Sequence, residues 1–93
     1  MEEKFCVYIL YSEQYDKIYI GQTQNLISRM KDHNIFGKDS FTSKFRPWKV
    51  IYIEFFKSRK ESLQREKSLK GGKGREWIKT NRKNYKSTGF ISA

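Results

Sequence analysis

The chain opens with a nearly unbroken apolar and aromatic run, Phe5 to Tyr11 (FCVYILY), and after a polar interval comes Lys17 to Gly21 (KIYIG). Short segments rich in β-branched and aromatic residues on either side of polar residues predict a buried strand and its hairpin partner, joined by a turn near Ser12 to Tyr15. Placing Ile9 opposite Ile18 puts Tyr8 opposite Tyr19. Side chains alternate along a strand, so the two phenols then share one face and the two isoleucines the other. A register slip of two residues preserves this sharing; a slip of one destroys it.

Polar Gln22 to Asn25 follows, and Thr23 or Asn25 is suited to cap a helix running to about Asn34. Leu26, Ile27 and Met30 form its expected apolar side, with Arg29 at the border and Lys31 and Asp32 facing water. Arg29 and His33 lie four residues apart and so share a face. Each has a plain structural explanation, a guanidinium stem covering the core for Arg29 and a favourable helix-end dipole for His33. Ile35 to Pro47 shows no period and is expected to be a loop. Its aromatics and cations suit stacking on bases and pairing with phosphates, and Phe41 and Phe45 equally suit the core.

Trp48 to Phe56 (WKVIYIEFF) predicts a third strand, with Ile51, Ile53 and Phe55 on one face and Val50, Tyr52 and Glu54 on the other. Ser58-Arg59-Lys60-Glu61 is a capping box that starts a helix, and Gly71-Gly72 stops it. Leu63 and Leu69 mark the expected inward stripe of that helix, and Glu66 falls on the arc between them. A carboxylate there needs a partner, because an unpaired buried charge is costly. An arginine or a metal ion would serve; Glu54 is the other acid to consider for a metal. Arg75 to Tyr85 predicts a last helix, with Trp77 and Ile78 inward and Arg75, Lys79, Arg82, Lys83 and Lys86 outward. Ser87 to Ala93 carries no pattern.

These elements predict an α+β fold, a small three-stranded antiparallel sheet flanked by about three helices. With 93 residues the chain suffices for one domain with a single core, about residues 4–86 with a tail at 87–93. No apolar run approaches the ~20 residues of a membrane span, and Met1 to Cys6 lacks the pattern of a secretory signal. A soluble, cytoplasmic protein is expected. Cys6 is the single cysteine, which excludes an internal disulfide and a cysteine zinc cage.

The net charge is +10, and its distribution is uneven. Residues 1–34 carry four basic and five acidic groups, 35–57 five and two, and 58–93 eleven and three, so the segments hold −1, +3 and +8. A positive field concentrated in the C-terminal half suits a polyanion, nucleic acid above all.

Taken together, the motifs resemble the GIY-YIG nuclease family, in particular its small single-domain bacterial, YhbQ-like branch, over about Phe5 to Trp77. Tyr19-Ile20-Gly21 stands as the second half of the family name. Of the first half, Cys6-Val7-Tyr8 keeps the tyrosine. Arg29 matches the family's helix arginine, His33 the imidazole or aromatic position one turn later, and Glu66 in REKSLK the metal-binding glutamate. Two departures are Gln22, where the repair-nuclease branch often has lysine, and the C-terminal asparagine, for which Asn81 and Asn84 compete.

The resemblance implies a metal-dependent endonuclease that hydrolyses DNA phosphodiester bonds with one Mg²⁺ or Mn²⁺ ion, in DNA repair or recombination. Its expected catalytic residues are Tyr8, Tyr19, Arg29, His33 and Glu66, with Glu66 on the metal. Gly21, Gln22, Thr42, Lys44, Arg46, Lys70, Lys73 and Arg75 are the expected nucleic-acid contacts. DNA is the expected partner ahead of RNA, and no membrane partner is expected. A module on the same scaffold that binds without cutting is the alternative. An RNA-associated basic protein also fits the charge, but leaves Glu66 unexplained. Because phosphate contacts position without specifying, binding should weaken steeply with added salt and vary little with sequence. A titration of affinity against salt concentration checks this, and a flat response would contradict it.

Overall fold

The computed structural model describes residues 4–31, 34 and 40–81, apart from the side chains of 40 and 41. Three strands, β1 (Phe5–Ser12), β2 (Lys17–Thr23) and β3 (Lys49–Phe56), form an antiparallel sheet in the order β2-β1-β3. The helices are α1 (Leu26–Lys31), α2 (Ser40–Lys44), α3 (Arg59–Lys70) and α4 (Gly72–Asn81). The expected α+β architecture is therefore present, with four helical segments among the described residues. The expectations for His33, the Phe41 side chain, Arg82, Lys83, Asn84, Lys86 and the tail lie outside the described residues.

The central strand explains its own composition. Every residue of β1 from Cys6 to Ser12 is buried, because layers pack on both faces of the sheet. Val7, Ile9 and Tyr11 join Ile51, Tyr52, Leu69 and Ile78 on the face covered by α3 and α4. Cys6, Tyr8 and Leu10 join Trp48 on the other face, where Leu26, Met30 and Phe45 pack. An antiparallel strand covered on both sides reads as a continuous apolar run rather than an alternation.

Several expectations need correction. Ile9 pairs with Ile20 and Tyr8 with Gly21, a slip of two from the expected register. The cause is the turn: Glu13 to Asp16 form a four-residue connection between Ser12 and Lys17. Asp16 adopts a positive φ of 54° and accepts a 2.9 Å hydrogen bond from Tyr11 Oη. An even slip keeps Tyr8 and Tyr19 on one face. In β3 the pairing shifts between Ile9 and Leu10, so that Ile51 is an extra residue. This bulge puts Val50 with Ile53 on the Tyr8 face and Ile51 with Tyr52 on the other, exchanging Val50 and Ile51 relative to strict alternation.

The helices differ from expectation in similar ways. Ile27 is exposed, and Leu26 and Met30 alone carry the packing of α1. Part of the expected loop, Ser40–Lys44, is helical. Leu63 is exposed, and the buried stripe of α3 is Ser62 and Leu69. The small Ser62 lets the helix approach the sheet, and its hydroxyl donates to the Arg59 carbonyl at 2.8 Å. At the start of α3, Ser58 Oγ accepts from the Glu61 amide at 3.1 Å, as the capping box predicts.

The last helix starts three residues before the expected Arg75, at Gly72. Gly71 alone separates it from α3 and donates its N–H to the Ser68 carbonyl at 3.1 Å. So tight a junction brings Gly74 against the last turn of α3, where a Cβ would overlap the Leu69 backbone. Gly74→Ala should therefore destabilise the protein by about 1–3 kcal/mol through overpacking. Gly72 faces open space, and Gly72→Ala should be neutral or stabilising by up to ~1 kcal/mol. Denaturant midpoints of the two variants test the pair.

Candidate active site

The site is built first by the turn between β2 and α1. Thr23 Oγ1 accepts from the Asn25 amide at 3.1 Å, and Asn25 Oδ1 accepts from the Ser28 amide at 3.0 Å. Both expected caps are therefore used, Thr23 shaping the turn and Asn25 closing the helix. With the helix start fixed and Leu26 and Met30 seated on the Tyr8 face, Arg29 is aimed at the sheet.

Tyr8, Tyr19 and Arg29 come together. The two phenol rings lie 6.3 Å apart at a 37° tilt. Tyr19 also meets the Trp48 ring edge-on at 6.4 Å. Arg29 donates a hydrogen bond to the Tyr8 hydroxyl. Tyr8 lies across Gly21, its cross-strand partner, so closely that a Cβ on Gly21 would overlap the phenol oxygen. The glycine of Tyr19-Ile20-Gly21 thus makes room for the other tyrosine.

Burial separates the roles of the two phenols. Tyr8 is 1% exposed, and Tyr19 is half-buried. Burial pushes the Tyr8 phenol up to about 12, and the Arg29 hydrogen bond and charge only partly oppose this. Tyr8 is consequently a neutral hydroxyl that accepts from Arg29 over the whole physiological range.

Trp48 is fixed from two directions. Its indole donates to the Thr42 carbonyl at 2.8 Å, and Asn34 clamps its backbone, accepting from its N–H at 2.6 Å and donating to its carbonyl at 3.2 Å. Sequence reasoning missed Asn34 and Trp48 as supports of the tyrosine pair; the only available signal was the indole N–H, which when buried needs an acceptor.

Glu66 belongs to α3, which packs on the opposite face through Leu69. Its carboxylate is paired with Lys70 at 3.0 Å, one helical turn on. The ion-pair partner is thus a lysine rather than the expected arginine, and the neighbouring Arg65 is bound to Glu54 at 2.8 Å. The link between Glu66 and the tyrosines runs around the outer edge of β2, where Tyr19 and Lys70 line one groove of about 550 Å³ with Ile18, Ile20, Arg75, Ile78 and Lys79.

The remaining expected contacts are dispersed. Gln22 lines a smaller cavity of about 330 Å³ with Phe5, Thr23, Gln24, Asn25 and Arg59. Gly21 and Thr42 are buried, Arg46 is half-buried, and Lys44, Lys70, Lys73 and Arg75 are exposed. Phe45 packs against the core, meeting Tyr15 edge-on at 5.4 Å and lying beneath Lys17 Nζ, which is 5.4 Å from its ring centre. Among the described residues no three His, Cys, Asp or Glu side chains cluster as a ready metal cage, and no helix is long and apolar enough to cross a membrane.

The buried Tyr8 phenol, the Arg29 guanidinium beside it and the half-buried Tyr19 phenol form one cluster on this three-stranded α+β scaffold. The family model described as the GIY-YIG catalytic domain matches residues 4–86, and the chain belongs to that family. Relatives include a UPF0213 protein of Clostridium perfringens, 38% identical over 64 residues that cover 69% of this chain and 68% of the relative. A UPF0213 protein of Staphylococcus haemolyticus is 33% identical over 67 residues, covering 72% and 80%. One from Oceanobacillus iheyensis is 31% identical over 70 residues, covering 75% and 80%. No solved structure matches.

The buried phenol gives a pH prediction. The folded Tyr8 value, about 12, lies above its ordinary 10.0, so the folded state holds the phenol proton more tightly than the unfolded chain. The stabilisation is complete below pH 10 and is lost as pH rises towards 12. Tyr8→Phe should lose less stability across that window than the parent, as measured by denaturant unfolding at several pH values.

Proposed function

We propose that this protein is a divalent-metal-dependent endonuclease that hydrolyses DNA phosphodiester bonds. The observation that carries the reading is the Tyr8–Tyr19–Arg29 cluster in a chain of the GIY-YIG family. Tyr19 is the less buried of the two phenols, and it orients the attacking water by a hydrogen bond. Tyr8 is a positioning residue: it holds Arg29 and, being neutral, does not act as the base. Arg29 carries a planar guanidinium whose fork matches the oxygens of a scissile phosphate, and Tyr8 orients it. As that phosphate becomes more crowded with charge, a fixed guanidinium stabilises it without reorganising. His33, at the family's imidazole or aromatic position, is assigned either to relay the proton or to hold a tyrosine in place.

Glu66 is the residue that would hold Mg²⁺ or Mn²⁺. One of its carboxylate oxygens is engaged by Lys70, and the other has no hydrogen-bond partner among the described residues. A single carboxylate fits a weakly held hydrated ion whose shell water and substrate complete, and does not fit a two-metal centre. When bound, the ion supplies neutralisation of phosphate charge and a more acidic water. Access to both Glu66 and the tyrosines requires substrate to pass over the β2 edge.

A second reading, a module that binds nucleic acid without cutting, is favoured by one observation: Lys70 already occupies Glu66, on the helix layer opposite Arg29. Incubation with branched, flapped and nicked DNA in Mg²⁺ or Mn²⁺ tests both. Cleavage lost in Glu66→Ala with binding retained is the expected result; binding without cleavage on every substrate and metal selects the second reading. Arg29→Ala should lower turnover on the order of 10²-fold with a smaller change in affinity. Equal losses in both would assign Arg29 to binding alone.

A further inference from the structure

The groove along β2 is distinct in composition from the tyrosine cluster on the other face of the sheet. Its floor is apolar, made by Ile18, Ile20 and Ile78, and its rim is Lys70, Arg75 and Lys79, with no carboxylate among the described residues that line it. Arg75 and Lys79 stand four residues apart on α4, so both project from the same side of that helix. Both are exposed, and neither forms an ion pair among the described residues. Lys70 is shared with Glu66. As the outer strand of the sheet, β2 also turns part of its N–H and C=O groups away from β1. The volume of about 550 Å³ lies within the ~300–1,000 Å³ range of pockets that hold small organic molecules, and is more than a bare phosphate needs.

We infer that this groove holds an unpaired nucleotide of a nucleic-acid strand, its base on the isoleucine floor and its phosphates at Arg75 and Lys79. An apolar floor beside a cationic rim matches a molecule with one flat, poorly hydrated part and one anionic part. A base still stacked in a duplex cannot reach such a floor, whereas one out of the stack presents its faces to apolar side chains and its edge to hydrogen-bonding groups. The outward backbone groups of β2 supply the latter. Tyr19 lies between Ile18 and Ile20 with its ring on the opposite face, so a strand seated here leads over the β2 edge to the tyrosine cluster. The inference rests on the nucleic-acid reading above but not on cleavage.

The test is binding of the full chain, in chelator at fixed ionic strength, to a labelled oligothymidylate and to an abasic strand of equal length and charge, followed by fluorescence anisotropy. The parent protein should prefer the thymidylate by about tenfold. Ile18→Thr, which keeps a β-branched residue in the strand, should abolish that preference and leave the abasic affinity unchanged. Arg75→Glu and Lys79→Glu should each weaken thymidylate binding about tenfold more than Lys57→Glu, which changes net charge equally at an exposed position outside the groove. Circular dichroism establishes that each variant is folded. Equal binding of the two strands, equal effects of the three charge reversals, or competition by polyglutamate as strong as by thymidylate would overturn the inference. Base-selective binding without cleavage would leave it standing while removing the nuclease assignment, so the two readings fail separately.

Discussion

The close contact of Tyr8 with Gly21 is the constraint on which the rest of the site depends. It requires that the two residues be cross-strand partners, which fixes the register of the hairpin, and that one have no side chain. Register in turn fixes which residues share a face, so Tyr19 stands beside Tyr8 because it lies two positions before that glycine. Arg29 completes the arrangement from α1, whose start is set by Thr23 and Asn25 immediately after the strand. The single stretch from Tyr19 to Arg29 thereby positions two of the three chemical groups against Tyr8 on the neighbouring strand.

Burial of β1 on both faces gives this hairpin its rigidity. One face receives α3 and α4, the other α1 and Trp48, and each layer excludes water from one side of the strand. Tyr8 pays for that exclusion with a phenol that resists ionisation, so the Arg29 guanidinium beside it meets a neutral acceptor. A rigid phenol–guanidinium pair beside a more accessible phenol is suited to preorganised electrostatic work on an anion.

Two surfaces follow from the same sheet. The Tyr8 face offers fixed groups with defined geometry, whereas the β2 edge offers a broader groove with an apolar floor and cationic rim. Tyr19 belongs to both, because an edge strand exposes its backbone laterally while its side chains alternate above and below. Glu66 and Lys70 extend from the helix layer towards this edge, and their mutual pairing couples the charge of the acid to that of the groove.

The sequence by itself determined the strands, the existence of the main helices, the capping of α1 and α3, and the parity that puts Tyr8 and Tyr19 together. These follow from local periodicity and from side-chain groups that bond to nearby backbone. Tertiary structure decided what local rules do not encode. The four-residue turn shifted the register by two, and the bulge at Ile51 exchanged two side chains between faces. The Gly74 contact brought α4 close to α3 and started it earlier than its apolar pattern indicated. Leu63 and Ile27 were left in water because helix rotation is chosen by the layer beneath, not by the helix. For Glu66 the sequence indicated a partner but not which one. Lys70, one turn away on the same helix, takes that place, whereas Arg65, the preceding residue, points to another side of the helix and binds Glu54 of β3, an assignment made only once α3 is seated on the sheet.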